Sequence, residues 1–220
     1  MAAMPAKLRA DQTFRRCLAM AAGVSVLALA AIVLFLLSQA LPIFSQVSLK
    51  DFLFSTEWYP TDDPPVFGIG ALILGSLACA ALTTVIAVPT GVLTACAIHA
   101  GMPDGMKRVV KPMIELMAAL PSVVIGFIGM IILAPWLQNT FGLATGLNLT
   151  NASIMLAFMC VPTIASISED ALRNVPGGIR EASLALGATR WETLVKVELR
   201  WAMGGIATAV MLGISRADRL

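Results

Sequence analysis

Few residues in this chain have the type and spacing that catalysis requires. Glu169 and Asp170 are adjacent carboxylates, a pair that a general acid and base could share. Neighbouring helical positions point about 100° apart, so the two do not converge on one substrate atom. They read as the polar end of an apolar segment. His99 is the only histidine. It closes another apolar segment, has no partner within reach in sequence, and reads as a boundary residue. Cys17, Cys79, Cys96 and Cys160 lie in or beside apolar runs without a C-x-x-C pair, which fits small buried hydrophobes. Asn148-Leu149-Thr150 and Asn151-Ala152-Ser153 match the glycosylation pattern, which is frequent by chance. No G-x-S-x-G is present. An enzyme inside a membrane needs convergent nucleophile, base or metal ligands, and none is offered. Two charged features remain, Arg216 at the end of an apolar run and the stretch Arg180–Ala202.

The elements that must position them are membrane spans. The chain has 220 residues, of which 58% are hydrophobic and 13% charged, and its mean hydropathy is +0.86. A soluble surface rarely has so few charges. Residues 18–41, 67–98, 112–137 and 154–167 are nearly uncharged, and a helix needs about 20 such residues to cross the hydrocarbon core. Helices satisfy their own backbone polar groups in lipid, so the spans are helical. The expected organisation is a basic tail at 1–16, a first span at 17–43 and an outer loop at 44–66. A transmembrane domain comes next, from 67 to 220, with spans near 67–98, 112–137 and 151–172 and a last apolar run from Ala202 to Ile214. The first run is too long for the roughly 7–15 apolar residues of a secretory signal and has no small-residue cleavage site after it, so it is read as retained.

Charge orients these spans. Lys7, Arg9, Arg15 and Arg16 precede the first, and Lys50 alone follows it. Lys107, Arg108 and Lys111 follow the second, and no cation lies in 138–150. Arg173, Arg180, Arg190, Lys196 and Arg200 follow the fourth. This alternation predicts a cytoplasmic N-terminus and a cytoplasmic charged stretch. Pro89, Pro121 and Pro162 fall inside successive spans. Each removes a backbone hydrogen bond, and together they suggest kinked helices around a cavity, although ordinary membrane-helix kinks give the same pattern.

The charged stretch predicts two short helices. Arg180–Leu186 forms the first, and Gly187 supplies the left-handed residue that ends it. Thr189 caps the second, with Glu192 completing a capping box and Lys196 placed one turn on for an ion pair. Helical projection puts Trp191, Leu194, Val195, Leu199, Trp201 and Ala202 on one face and Glu192, Thr193, Lys196 and Arg200 on the other. Glu198 breaks the pattern, because it lands on the apolar side and needs a partner there. The segment therefore lies under the membrane with one face packed upward and the other open to water or a protein. An amphipathic helix resting on the interface has the same composition.

Glu181-Ala182-Ser183, Gly187-Ala188-Thr189, Val197 and Leu199 resemble the EAA loop of ABC importer permeases. Leu120-Pro121-Ser122-Val123-Val124-Ile125-Gly126 resembles the P-S-V-V-x-G stretch of phosphate importer permeases, and Met211–Ala217 resembles the lead-in to their R-A-x-G-E-T segment. The basic tail, first span and Trp58–Pro60 loop are similar to the C-type subunit of those systems. The resemblance implies an all-α, polytopic inner-membrane helical bundle of the type I importer permease (MetI-like) kind. It implies coupling helices within 177–202, with Glu181, Ala182, Ser183, Gly187, Ala188 and Thr189 as the contact to an ATPase. It places Arg216, Pro121 and Ser122 on a phosphate path, although Arg216 could equally form a polar tail with Arg219. The implied partners are a second permease subunit, an ATP-binding subunit dimer and a periplasmic phosphate-binding protein in a bacterial inner membrane. ATP and Mg belong to the ATPase, so this chain is expected to bind no cofactor, metal or nucleic acid and to do no chemistry. A permease for sulfate or molybdate is the near alternative. Two departures stand out. Arg200 occupies a position where the family has proline. Asp218-Arg219-Leu220 comes after Arg216-Ala217 where the family continues with glycine and glutamate, so the chain is expected to be truncated in its fifth span, and an inert fragment is a further reading.

Overall fold

The computed structural model describes residues 6–45 and 47–217, and the chain divides into two compact units, 1–72 and 73–220. The first holds α1 (Ala6–Ala40), a 3-10 turn at Leu41–Ser45, α2 (Leu49–Phe54) and a small antiparallel ribbon. Ser48 caps α2 by accepting the Asp51 amide at 3.1 Å. In the ribbon β1 (Trp58–Tyr59) pairs with β2 (Val66–Phe67), Trp58 opposite Phe67. The two rings meet edge to face with centroids 5.9 Å apart.

The long α3 (Gly70–Cys96) leads through a π-helical turn, Ala97–Gly101, to α4 (Asp104–Ala118). A break then precedes α5 (Ser122–Ile128), a second π turn at Gly129–Leu133, and α6 (Ala134–Phe141). After α7 (Leu149–Arg173) come α8 (Gly177–Ala185), α9 (Arg190–Thr193), a third π turn at Leu194–Glu198, α10 (Leu199–Trp201) and α11 (Met203–Ala217).

Among the described residues, four stretches are long and apolar enough to cross a membrane: Phe14–Ser45, Gly70–Gly101, Ser122–Phe141 and Leu149–Arg173. Arg190–Trp201 and Met203–Arg216 form a further pair bent by 71°. The third span begins at Ser122, ten residues later than the sequence suggested. Pro121 has no amide to donate and takes an extended conformation, φ −61° and ψ 132°, so the helix stops before it. Residues 112–118 belong to the charged helix α4. Pro89 and Pro162 lie within unbroken helices.

α7 is the central element of the second unit and packs against α11, α4 and α5. Gly91 of α3 and Gly213 of α11 both lie against Ile164. A Cβ added at either would fall within 2.8 Å of that side chain. Glycine there permits the close helix approach that stabilises contacts in lipid. Two apolar clusters result, Ala87, Ala157, Cys160 and Ile164 in one, and Ala95, Cys96, Leu172, Val175, Leu194 and Ala202 in the other. The interior also contains Thr83, Ser153, Ser168, Glu169 and Glu198, while Leu77, Val85 and Val123 are exposed. Apolar residues outside and polar ones inside is the arrangement a bilayer favours. Cys17 is exposed, unlike Cys96 and Cys160.

Candidate functional site

The charged stretch folds into an elbow. α8 begins at Gly177, three residues before the expected start, and ends at Ala185 with Leu186 as its cap; Gly187 comes next with φ +86°. The Ala188 amide donates to Ser183 O and the Gly187 amide to Leu184 O, a Schellman closure that satisfies the free carbonyls of α8. Thr189 opens α9. Its hydroxyl accepts the Glu192 amide at 3.2 Å, and Glu192 accepts the Thr189 amide at 3.0 Å. Lys196 donates to Glu192 at 3.1 Å. That amide and the ammonium hold the Glu192 carboxyl at about 2, well below its ordinary value. Ser183 and Thr193 share a hydrogen bond of 2.9 Å that fastens α8 to α9.

The faces of this segment differ from the helical projection. Thr193 is buried, whereas Trp191, Val195 and Trp201 are exposed. The π turn at Leu194–Glu198 inserts an extra residue into the helical winding, so a fixed 100° step misplaces positions from there on. Thr193 precedes the turn and is drawn inward by Ser183. Leu186 is 89% exposed and Trp191 64%, which gives the elbow an apolar tip. Glu181 and Ala182 are also exposed, while Ser183 and Ala188 are half-buried.

Glu198 finds the partner it needs. The carboxylate is buried, accepts from Arg180 Nε and lies 3.1 Å from His99 Nε2. Arg180 Nη2 is 2.8 Å from the same ring nitrogen. His99 is therefore more than a boundary residue. It and Glu198 each sit in a π turn, and together with Arg180 they tie α8 and the α9 segment to the end of α3. Sequence reasoning missed His99 because its partners lie 81 and 99 residues away.

Glu169 and Asp170 also gain a role that spacing alone had denied them. Lys111 donates to both carboxylates, at 2.7 Å to Glu169. The two carboxylates thus meet on one atom, the Lys111 ammonium nitrogen, which the 100° step between neighbouring positions had argued against. Burial opposes the Lys111 charge, but its hydrogen bonds to Asp170 and Glu169 outweigh that and raise its pKa above the ordinary lysine value. Both asparagines of the glycosylation matches have structural roles. Asn148 caps α7 by accepting the Asn151 amide at 3.0 Å. Asn151 is buried and donates to Gly129 O and Gly146 O, each at 3.0 Å.

Arg216 reaches a second corner. Its Nη1 donates to Thr163 Oγ1 at 3.2 Å and its Nη2 to the Ala118 carbonyl. It thereby joins α11, α7 and the last residue of α4, just before the break occupied by Pro121 and Ser122. Among the described residues Arg216 has no ion pair. Arg200 is the middle residue of α10, and the helix continues past it only to Trp201, where the chain bends by 71°.

Residues 87–217 match the family described as binding-protein-dependent transport system inner membrane component. The chain belongs to this family. A probable ABC transporter permease of Bacillus subtilis, YqgH, is 41% identical over 196 residues, covering 88% of this chain and 63% of that protein. The phosphate transport system permease protein PstC 2 of Mycobacterium tuberculosis is 32% identical over 228 residues, covering 95% of this chain and 70% of that one. PstC of Mesorhizobium japonicum is 33% identical, covering 76% and 56%. The chain thus spans roughly two thirds of the length of such relatives. An inward-facing structure of the MetNI methionine ABC transporter superposes with a TM-score of 0.56 at 22% identity, covering 71% of this chain and 73% of that one. That likeness establishes the fold, a MetI-like membrane helical bundle. This inner membrane component is a multi-pass helical membrane protein whose relatives are transport subunits.

Proposed function

We propose that the chain is the membrane permease subunit of an ATP-driven importer of inorganic phosphate. The relatives named phosphate transport permeases carry the substrate assignment, since 32% identity extends over 95% of this chain. Arg216 suits a phosphate path, because a guanidinium fork matches two oxyanion oxygens. Pro121 and Ser122 open the helix just beyond the carbonyl that Arg216 binds, which supports a place for them on the same path.

The elbow is the contact for the ATPase. Glu181, Ala182, Ser183, Gly187, Ala188 and Thr189 form or flank its bend. The exposed Leu186 and Trp191 give it an apolar tip that suits a groove in a partner. The chain works beside a second permease subunit, an ATP-binding dimer that holds ATP and Mg, and an external phosphate-binding protein. Its N-terminus and elbow face the cytoplasm, as the placement of Lys and Arg indicates.

Uptake of labelled phosphate by a strain lacking the full-length gene, and by the complemented strain, tests this reading. Loss and recovery of high-affinity phosphate uptake is the expected result. Normal phosphate uptake with lost sulfate or molybdate uptake would move the assignment to another oxyanion. Arg216→Ala in the full-length protein should abolish uptake while the subunits still assemble.

A further inference from the structure

We propose that the charged cavity bounded by the end of α3, by α4, by the last turn of α7 and by α8 is a binding site for a phosphate group, separate from the Arg216 corner. The cavity has a volume of about 650 Å³, within the range of roughly 300–1,000 Å³ typical of ligand sites. Five cations line it. Lys107, Arg108 and Lys111 come from α4, Arg173 from α7 and Arg180 from α8, against the carboxylates Glu115 and Glu169.

Pairing decides which of these charges a ligand can use. Lys111 is taken by Glu169 and Asp170, and Arg180 by Glu198. Lys107 donates to the His99 carbonyl at 2.7 Å, which leaves its charge uncompensated. Among the described residues, Arg108 and Arg173 have no carboxylate within ion-pair distance. Three cations from two helices therefore face one concavity, opposed there by Glu115, which accepts a long hydrogen bond of 3.5 Å from the Ser166 hydroxyl.

Arg108 and Arg173 are exposed and Lys107 is half-buried, but all three line the same cavity, whereas a merely solvated face would carry its cations on one element. Here α4 and α7 aim theirs into a shared hollow, where the like charges repel until an anion enters. A phosphate group offers several oxygens to two guanidinium forks and an ammonium at once. The group has two sources, a phospholipid headgroup at the membrane surface or free inorganic phosphate. Basic pockets at the ends of membrane helices suit the former. The site stands whichever substrate the transporter carries.

The test uses the full-length permease with its partner subunits, stripped of lipid in a phosphate-free detergent. One arm adds phosphatidylglycerol and counts retained lipid by native mass spectrometry. The other titrates inorganic phosphate by calorimetry. Binding in either arm should weaken at least tenfold in the double variant Arg108→Gln, Arg173→Gln. It should tighten in Glu115→Gln, an opposite response that a merely structural role would not produce. Retention of lipid alone identifies the headgroup as occupant, and titration of phosphate alone identifies the free anion. No binding in either arm, or binding indifferent to both variants, overturns the proposal. Thermal melting of each variant confirms that it is folded, and Arg173→Lys, which keeps the charge, should retain most binding if the double variant melts early.

Discussion

Glu198 and Glu192 lie six residues apart in one helical segment, yet their surroundings set opposite uses. Glu198 is 4% exposed and is held between Arg180 and His99. Glu192 is on the open side, where the capping box and Lys196 hold it. A buried carboxylate is costly unless paired, so each of its contacts fixes a neighbour in place. An exposed pair stabilises little and leaves its surface available. One face of the elbow is therefore anchored to the membrane helices, and the other is free to meet a partner. A mechanical contact needs both, since a lever must be rigid toward its load and accessible toward its drive.

The anchored face depends most on Glu198. Glu198→Ala leaves Arg180 and His99 facing each other without a counter-charge. The expected cost is about 3 kcal/mol, at the low end for a broken buried pair because Arg180 is 41% exposed. Thermal unfolding of the full-length protein in detergent would register it. Glu198→Gln keeps an acceptor and should lose less. An unchanged melting temperature for both would show that the anchored face carries no load.

The second anchor is Lys111. Lys111→Met strands the buried Glu169 carboxylate, with an expected loss of about 2 kcal/mol. The raised Lys111 pKa fixes the sign of its pH dependence. Its contribution is fully present below the ordinary lysine value of 10.5 and is lost as pH rises through the higher folded value. The wild type and Lys111→Met should therefore differ by a constant amount around neutrality and converge only in strong alkali, as parallel melts would reveal.

Local and distant interactions divide what could be read from sequence in the same way. The Gly187 bend, the Thr189–Glu192 capping box and the apolar spans involve residues within a few positions of each other, so spacing alone places them. Glu198 was legible as an anomaly, but its partners were not. Lys111 meets Glu169 across 58 residues and Arg216 meets Ala118 across 98, and no periodicity connects such positions. The start of the third span was misplaced because hydropathy does not register that Pro121 ends a helix carrying Lys107 through Glu115. The wet and dry positions around α9 were partly exchanged for two reasons: Thr193 is drawn inward by its distant partner Ser183, and the π turn changes the winding after Thr193.

The bend itself should cost less to disturb. Gly187→Ala meets no neighbouring atom within 4 Å, so its penalty is backbone strain alone at φ +86°, about 1–2 kcal/mol. Melting should fall by less than for Glu198→Ala. In the assembled transporter, ATPase stimulation should fall further than stability if the elbow seats in the ATPase.

The smallest effect belongs to the open face. Glu192 has a folded pKa of about 2 against an ordinary 4.5. A depressed carboxylate contributes stability above the ordinary value and loses it as pH falls through the folded one. Glu192→Gln should therefore remove an acid-dependent loosening at the start of α9 and leave global melting nearly unchanged. Amide hydrogen exchange at Thr189 and Glu192 would detect it, faster in the variant near neutrality and equal to wild type in strong acid. Added salt should shrink the difference, since the Lys196 part of the interaction is exposed. A global loss comparable to that of Glu198→Ala would mean that both faces are anchored, and the elbow would then have no free side to offer a partner.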